Sequence, residues 1–431
     1  MGYYNFNEEK KDKIPYDKEP IFRQENKQKR NFSNSSSGTS KATSLVMAFV
    51  LILQIGLIVA LFAVFGHFSK KIENVDNQGS TIVNITTDSA VDVSAVTTKA
   101  KMSSVCVHAG YTSASTTGPN YQGFFNMASK GGGTIIEYDK TSGVAYILTC
   151  YHVVKGHEEQ IEVLLFDIYN PIEATLVGHS YVYDLAVLKI EGLNTITTNA
   201  IECEIADSAV VLEGEPSIAI GNPLGAGFSV TSGQISKAID IVKVDGINRR
   251  VFRTSAPINS GNSGGGLFDA KGRFIGVVNA KSTDNPSQNN YIDCVAYAIP
   301  STLAINLAYN IMRNTNPVKA SLGITLGIKN NGIKYDVVNG VYNVPVQTVY
   351  VLEIDADSPL KGLIEEGYEI VAFEYGDKLI NVINTYSFDD HSFAINKGDE
   401  VTIYYSHNGN TGSAKIKINK VVSADSQDWY D

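Results

Sequence analysis

The sequence has little of what marks several common classes of protein. Its cysteines, Cys106, Cys150, Cys203 and Cys294, show no CxxC spacing and no dense framework. A disulfide scaffold is therefore not predicted, and the pairing of these cysteines stays open. The formal net charge of −10 argues against a general nucleic-acid-binding face, which needs basic clusters. We therefore expect no nucleic-acid partner for this chain. Its length of 431 residues allows two or three domains.

The N-terminal segment lacks the apolar side chains that a folded unit needs. Residues 1–43 are rich in Lys, Asn, Ser and Glu. Such a segment cannot bury enough apolar surface to offset the entropy lost on ordering, so we predict a disordered tail.

A long apolar run follows this tail, from Leu45 to Phe68. As a helix it reaches roughly 36 Å, which is enough to cross a hydrocarbon core of about 30 Å. A cleaved signal peptide is the alternative, but the run is too long and no small-x-small cleavage site follows it. Residues 26–43 carry basic side chains and no acid. The positive-inside rule therefore predicts a cytoplasmic tail, a transmembrane helix at 45–68, and an extracytoplasmic remainder.

Beyond the predicted span, the chain divides into a linker and two β-rich units. Residues 69–98 form a polar linker with little periodic pattern. Residues 99–315 contain short apolar runs separated by turn signals, which predicts an all-β unit. Helical spacing in "TLAINLAYNIMRN", after Pro300-Ser301, predicts a helix that closes this unit.

Residues 319–420 form the second β-rich unit. Its strands are predicted from "QTVYVLEID" and "YEIVAFEYG", with a short helix opened by Ser358-Pro359 between them. The segment "EVTIYYSHNGNTGSAKIKI" predicts a final hairpin that turns at Asn408-Gly409.

The stretch "INSGNSGGGLFD" concentrates glycines around Ser263. A serine that attacks a carbonyl carbon needs a base for its proton and donors for the developing oxyanion. The N–H groups of Gly261 and Ser263 can converge on one point only if the loop turns sharply, and glycines permit that turn. The pattern therefore favours a nucleophilic serine beside an oxyanion hole formed by those two N–H groups.

Two other interpretations of the glycine-rich loop remain open at this point. A nucleotide-binding loop would require Lys-Ser or Lys-Thr and a helix directly afterwards, whereas the hairpin pattern "LFDAKGRFIGVV" follows. A purely structural turn is the plainer alternative, and the loop alone does not exclude it.

A base and an orienting acid are predicted from their places beside apolar strands. His152 directly follows "VAYILT", and Asp184 precedes "LAVLKI". A carboxylate at a strand head is partly buried and needs a partner. An imidazole Nδ1–H is suitable and leaves Nε2 to deprotonate Ser263. Alone, His152 and Asp184 could be structural, but with Ser263 they predict a triad. The other histidines lie at the span, in predicted loops or turns, or in the second unit: His67, His108, His157, His179, His391 and His407.

These segments resemble the HtrA/DegP-type trypsin-like serine proteases over roughly residues 95–420. "ILTCYHVV" is similar to that family's histidine strand, "YDLAVLKI" to its aspartate strand, and "TSAPINSGNSGGGLFDAKGRFIGVVNAK" to its serine loop. "SLGITLG", "ADSPLKGLIEEGYEIVAFEYG" and "KGDEVTIYY" resemble the PDZ domain appended in that family.

The resemblance implies a mainly β fold, with a chymotrypsin-like double β-barrel at 99–315 and a PDZ domain at 319–420. It implies catalysis by Ser263, His152 and Asp184 with no cofactor and no metal. Unfolded or misfolded polypeptides are the implied substrates, C-terminal peptides the implied PDZ ligands, and a homotrimer the implied assembly. The peptide carboxylate would be received by the amides of the PDZ loop, Leu322, Gly323 and Ile324.

Two departures and two competing functions accompany this resemblance. Tyr368 stands where the PDZ pattern usually has an aspartate, and "CY" before the histidine puts Cys150 close to the predicted base. The alternative function is a catalytically weak, PDZ-dependent chaperone or stress-sensing scaffold. A small-molecule esterase is disfavoured, because "GNSGG" lacks the G-x-S-x-G elbow.

Overall fold

The computed structural model describes residues 93–113, 124–225, 227–244, 246–279, 296–314, 316–328, 337–338, 341–342 and 347–426. The predicted tail at 1–43, the predicted span at 45–68 and most of the predicted linker at 69–98 lie outside these residues. Within the described ranges, no helix combines the length and the apolar character needed to cross a membrane.

The first six strands close into an antiparallel barrel. They are β1 (Ser104–Ser113), β2 (Phe124–Asp139), β3 (Val144–Cys150), β4 (Ile161–Leu165), β5 (Ile172–Ser180) and β6 (Leu185–Ile190). Their order around the barrel is β1-β2-β3-β6-β5-β4. Side chains that point inward from these strands fill the barrel, and Val107, Ile147 and Val187 are fully buried there.

The next six strands close into a second barrel. They are β7 (Pro216–Gly221), β8 (Ser229–Val244), β9 (Ile247–Thr254), β10 (Gly266–Phe268), β11 (Phe274–Asn279) and β12 (Ala296–Pro300). Their order is β10-β11-β12-β9-β8-β7. Phe252, Leu267 and Ile275 belong to its buried core. Two barrels of alternating apolar strands agree with the mainly β prediction.

In the described part of the chain, three α-helices accompany the barrels: α1 (Val93–Met102), α2 (Tyr151–Val154) and α3 (Ser301–Arg313). The predicted closing helix is confirmed by α3, which starts directly after Pro300. The prediction of an irregular linker up to residue 98 is wrong at its end, because α1 begins at Val93. A tertiary contact explains the difference: Ala100 of α1 is buried in the core of the first barrel.

The C-terminal part contains a six-stranded sheet and two short pairs of strands. Its elements are β13 (Val318–Ser321), β14 (Ile324–Ile328), β15 (Val337–Val338), β16 (Val341–Tyr342), β17 (Val349–Ile354), β18 (Glu369–Tyr375), β19 (Lys378–Asn381), α4 (Ser387–His391), β20 (Glu400–His407), β21 (Asn410–Lys417) and β22 (Lys420–Ser423). The sheet order is β14-β17-β18-β20-β21, with β19 on β18, and the pairs are β13-β22 and β15-β16.

Two sequence predictions have different outcomes in this sheet. The hairpin is confirmed, because Asn408 and Gly409 both have positive φ between β20 and β21. The short helix at Ser358-Pro359 is wrong, since turns occupy this segment. Gly362 has φ of 80°, which interrupts a helix, and the Ser358 hydroxyl donates to the Leu322 carbonyl at 2.7 Å.

Buried polar contacts join the C-terminal part to the first barrel, and both belong to one compact unit. Lys319 is fully buried, and its Nζ lies 2.8 Å from Asp389 Oδ1 and 3.3 Å from the Tyr183 hydroxyl. Burial of an ammonium group is costly unless it is paired in this way. Tyr183 also packs edge-on against Phe393 at 5.3 Å between ring centroids.

Candidate active site

His152 and Asp184 form a doubly hydrogen-bonded pair. His152 Nδ1 lies 2.6 Å from Asp184 Oδ2, and the His152 backbone N–H donates to Asp184 Oδ1 at 2.9 Å. The Asp184 side chain is only 3% exposed, whereas the His152 side chain is 23% exposed. A buried carboxylate therefore holds one ring nitrogen of an imidazole whose other nitrogen is left for a second partner.

The turn between β5 and β6 gives the Asp184 carboxylate its direction. Asp184 has φ of 54°, a left-handed conformation that few residues other than glycine, asparagine and aspartate adopt. The Tyr151 N–H donates to the Asp184 carbonyl at 3.1 Å. This backbone bond and the carboxylate bonds together tie the turn to helix α2, which carries His152.

Asn279 is a third member of the carboxylate network, and the sequence analysis missed it. Its Nδ2 donates to Asp184 Oδ2 at 3.0 Å, and the side chain is buried. Asn279 ends strand β11, so the second barrel supplies a donor to an acid that lies on the first. A polar residue at the end of the apolar run "FIGVVN" was the available signal.

The loop that carries Ser263 lies between β9 and β10 and touches the strand that leads to His152. The Gly132 N–H donates to the Ser263 carbonyl at 2.8 Å. The Val278 carbonyl accepts hydrogen bonds from the Gly264 N–H at 2.8 Å and from the Cys150 thiol at 3.4 Å. Residues of both barrels therefore hold this loop beside the segment that contains the histidine.

Backbone hydrogen bonds also set the direction of the loop's N–H groups. The Asn262 carbonyl accepts from the Gly265 N–H at 3.0 Å, and the Gly261 carbonyl accepts from the Asn222 N–H at 3.0 Å. Because C=O and N–H point in opposite directions within one planar peptide unit, the first bond directs the Ser263 N–H away from Gly265. The Ser263 N–H, one of the two sequence-predicted donors, therefore belongs to a peptide unit whose direction is fixed by a hydrogen bond within the loop.

Glycines are required in this loop for two separate reasons. Gly261 and Gly264 have φ of 98° and 83°, in the left-handed region. A Cβ on Gly264 would lie 2.2 Å from Thr149 Oγ1 and 2.4 Å from the Gly132 carbonyl oxygen. The concentration of glycines in this loop therefore has a structural cause. Gly261 and Gly264 have positive φ angles, and Gly264 lies in close contact with the first barrel.

Asn222 is a further support of the serine loop that the sequence analysis did not find. Its side chain is fully buried, accepts from the Gly227 N–H at 2.9 Å, and donates through Nδ2 to His108 Nε2 at 3.0 Å. Burial lowers the pKa of His108, and the nearby Lys130 charge lowers it further. A neutral His108 is the form that can accept this hydrogen bond.

Some of the other histidines do not lie in the elements that the sequence suggested. His108 lies in β1 and is buried, and His179 lies in β5 rather than in a turn, stacked on Tyr151 at 3.8 Å between centroids. Both histidines lie on strands because β1 and β5 pair with neighbouring strands of the first barrel. His391 and His407 belong to the C-terminal part, as expected, and His67 lies outside the described residues.

Of the predicted carboxylate-binding residues, Leu322 and Gly323 lie in the turn between β13 and β14, and Ile324 is the first residue of β14. Gly323 has φ of 61°. Its N–H donates to Ser321 Oγ at 3.2 Å, and its carbonyl accepts from the Asp355 N–H at 2.9 Å. Strand β14 lies at one end of the sheet order.

Comparison with known proteins agrees with this arrangement. The family described as "Trypsin-like peptidase domain" matches residues 131–277, which include His152, Asp184 and Ser263. The "Serine protease Do-like HtrA" of Lactococcus lactis subsp. cremoris is 30% identical over 319 residues, which cover 69% of this chain and 72% of that protein. The chain belongs to the HtrA family of serine proteases.

As an HtrA-type serine endopeptidase, the chain is similar to further proteins. The "Probable periplasmic serine protease do/HhoA-like" of Haemophilus influenzae is 31% identical over 68% of this chain and 59% of that protein. Among solved structures, "HtrA-type protease AlgW with tripeptide" has a TM-score of 0.45 at 23% identity, covering 77% of this chain and 97% of that chain. Because the relatives are named as proteases, the alternative of a catalytically weak chaperone or scaffold is not favoured.

Proposed function

We propose that this endopeptidase hydrolyses peptide bonds through a Ser263–His152–Asp184 triad. The observation that carries the proposal is the short contact between His152 Nδ1 and the buried Asp184 carboxylate, at 2.6 Å. Asp184 keeps the proton on Nδ1, so that Nε2 can take the proton of the Ser263 hydroxyl. Ser263 then attacks the carbonyl carbon, and His152 returns the proton to the leaving amine.

The glycine-rich loop contributes the oxyanion hole in this mechanism. The N–H groups of Gly261 and Ser263 donate to the oxygen of the tetrahedral intermediate. The bond from the Gly265 N–H to the Asn262 carbonyl supports this role for the Ser263 N–H, because a donor fixed before the reaction need not be reoriented during it. The bonds from Asn222 and Gly132 hold the neighbouring peptide units of the loop. Water then hydrolyses the acyl-enzyme by the same proton transfers in reverse order.

The proposed substrates are unfolded or misfolded extracytoplasmic polypeptides. The relative described as periplasmic supports an extracytoplasmic location. We place the protease and the C-terminal part outside the cell membrane, anchored by a single span at Leu45–Phe68, with residues 1–43 in the cytoplasm. Residues 69–98 would connect the anchor to the protease, and a homotrimer remains the assembly implied by the family resemblance.

The C-terminal part is proposed to be a PDZ domain that captures C-terminal peptides. Strand β14 ends the sheet order and is therefore placed to accept an added peptide strand. The turn at Leu322–Ile324 begins this strand, and its amides would receive the peptide carboxylate. Peptide binding would then be separate from the proposed triad at Ser263.

Replacement of the proposed nucleophile tests the catalytic role directly. Ser263→Ala should reduce cleavage of a denatured protein by about five to six orders of magnitude while the fold is retained. A serine-directed fluorophosphonate should label the wild type and not this variant. Ser142→Ala in the exposed turn before β3 is the matched control and should be labelled as the wild type is. Undiminished cleavage by the Ser263→Ala protein would refute the triad.

A further inference from the structure

Cys150 lies inside the candidate active site, but the proposed mechanism gives it no role. It ends strand β3, two residues before His152, and is fully buried. Cys106, Cys150 and Cys203 are all outside disulfides, whereas Cys294 lies outside the described residues. The Cys150 thiol donates to the Val278 carbonyl at 3.4 Å, a weak bond that can be exchanged for a stronger interaction.

Three different metal-binding groups converge at this position. The ligating atoms of Cys150, His152 and Asp184 all lie within 4.8 Å of one another. Thiolate, imidazole and carboxylate are the groups that zinc binds in proteins, at about 2.0–2.3 Å. Donors of one zinc ion are therefore separated by roughly 4 Å or less, so movements of about 1 Å would complete three ligands.

Access to this cluster is possible through the histidine. The His152 side chain is 23% exposed, whereas the Asp184 side chain behind it is 3% exposed. The imidazole is therefore the member of the cluster that a small ion would meet first from solvent.

We propose that Cys150, His152 and Asp184 form an inhibitory Zn²⁺ site within the proposed catalytic centre. The ion accepts electron pairs from the Cys150 thiolate, from His152 Nδ1 and from the Asp184 carboxylate, and a water molecule completes the tetrahedron. The thiol releases one proton to solvent. The imidazole stays neutral, because its proton now resides on Nε2 instead of Nδ1.

This exchange of tautomers would stop catalysis without closing the substrate cleft. With a proton on Nε2, His152 cannot accept the proton of Ser263. The ion lies on the side of the ring that faces Asp184, so a peptide can still bind in front of Ser263. The expected inhibition is therefore noncompetitive, with a lower kcat and an unchanged KM. This consequence rests on the proposed triad, whereas metal binding itself does not.

The first experiment measures peptide hydrolysis in a Zn²⁺ titration, with each protein normalised to its own metal-free rate. Cys150→Ala and Cys150→Ser should require at least 30-fold more Zn²⁺ for half inhibition than the wild type. The matched controls Cys106→Ser and Cys203→Ser, at buried cysteines outside disulfides, should remain as sensitive as the wild type. The proposal would be overturned if the two Cys150 variants were as sensitive to Zn²⁺ as the wild type. It would also be overturned if the inhibition were competitive, or if Zn²⁺ did not inhibit the wild type.

A second experiment tests the metal site without turnover. Co²⁺ is added to the Ser263→Ala protein, and the thiolate-to-cobalt charge-transfer band is recorded in the near ultraviolet. The band should appear in Ser263→Ala and be absent from Ser263→Ala/Cys150→Ser. If Ser263→Ala still cleaves substrate, the proposed triad fails, but the cobalt band still decides the metal site. Absence of the band in Ser263→Ala refutes the metal site and leaves the triad untouched.

Discussion

Two backbone turns of this molecule are proposed to receive a negatively charged oxygen, and they are built differently. The loop at Gly261–Gly265 has three of its carbonyls tied by N–H groups from Asn222, Gly132 and within the loop. The turn at Leu322–Ile324 has a single glycine, and its Gly323 N–H already donates to Ser321 Oγ. The first turn is fixed before a ligand arrives, whereas the second must exchange a hydrogen bond.

This difference matches the two proposed tasks. Stabilisation of a short-lived oxyanion requires donors that need no rearrangement during the reaction. Capture of a peptide carboxylate lasts longer and can afford the exchange of one weak hydrogen bond for a charge-assisted one. The two tasks are separated by two assays: peptide hydrolysis, and binding of a fluorescent peptide that carries a free C-terminal carboxylate.

After replacement of the nucleophile itself, the largest effect is expected from Asp184→Asn. Asparagine tolerates the left-handed backbone at this position, but its amide favours the wrong tautomer of His152. The kcat for peptide hydrolysis should fall by about 10³–10⁴-fold, while the C-terminal peptide binds as before. Asp139→Asn, which changes a carboxylate at the exposed end of β2, is the control and should lose little of either function. A comparable loss in the control would mean that the effect is unspecific.

A steric test of the first turn compares two glycines with nearly the same φ. Gly264 and Gly367 have φ of 83° and 85°, but only Gly264 has neighbours that a Cβ would strike. Gly264→Ala should cost about 2–5 kcal/mol of unfolding free energy and about 100-fold in kcat. Gly367→Ala should cost only about 1–2 kcal/mol and leave kcat unchanged. Equal losses, measured by denaturant unfolding and by hydrolysis, would contradict the crowding argument.

A smaller effect is expected at Asn279, which we regard as a positioning residue because it acts through Asp184. Asn279→Ala removes a hydrogen bond to a buried carboxylate and should lower kcat by about tenfold at unchanged KM. Asn279→Ser retains a hydroxyl donor and should recover part of this loss. A change in KM alone, or no difference between the two variants, would show that Asn279 does not position the acid.

The smallest effect concerns the second turn and has the opposite sign. Ser321→Ala frees the Gly323 N–H from its intramolecular bond, so the C-terminal peptide should bind about 2–10-fold more tightly. Hydrolysis of a short peptide without a PDZ ligand should be unchanged. A peptide with an amidated C-terminus is the control and should bind weakly to both proteins. Weaker binding after Ser321→Ala would place the carboxylate elsewhere.

The sequence predicted the elements of the site better than the contacts between them. His152, Asp184 and Ser263 could be chosen because each stands beside an apolar strand or within a glycine-rich turn. Helix α1 was missed because its burial depends on Ala100 meeting the first barrel, and no local periodicity marks that contact. The helix predicted at Ser358 does not form there. The Ser358 hydroxyl instead donates to the carbonyl of Leu322, a residue far away in the chain.

The supporting residues were the least predictable part. Asn279 and Asn222 are ordinary polar residues at the ends of apolar strands, a position that carries no chemical signature, whereas the closeness of Cys150 to the base was predicted. Their partners come from other strands, across both barrels. Only the closed barrels bring Asn279 within 3.0 Å of Asp184, and Cys150 within reach of the same carboxylate.

The amino-acid sequence by itself determined the mainly β character and the three residues proposed for catalysis, because these depend on local patterns of hydrophobicity and glycine. It indicated the family through the resemblance of its motifs. The tertiary structure decided which groups hold them. It paired His152 with Asp184, added Asn279, tied the serine loop through Asn222 and Gly132, and brought a thiol beside the imidazole. The physical reason is that such hydrogen bonds join residues far apart in the chain, and barrel closure alone sets their distances.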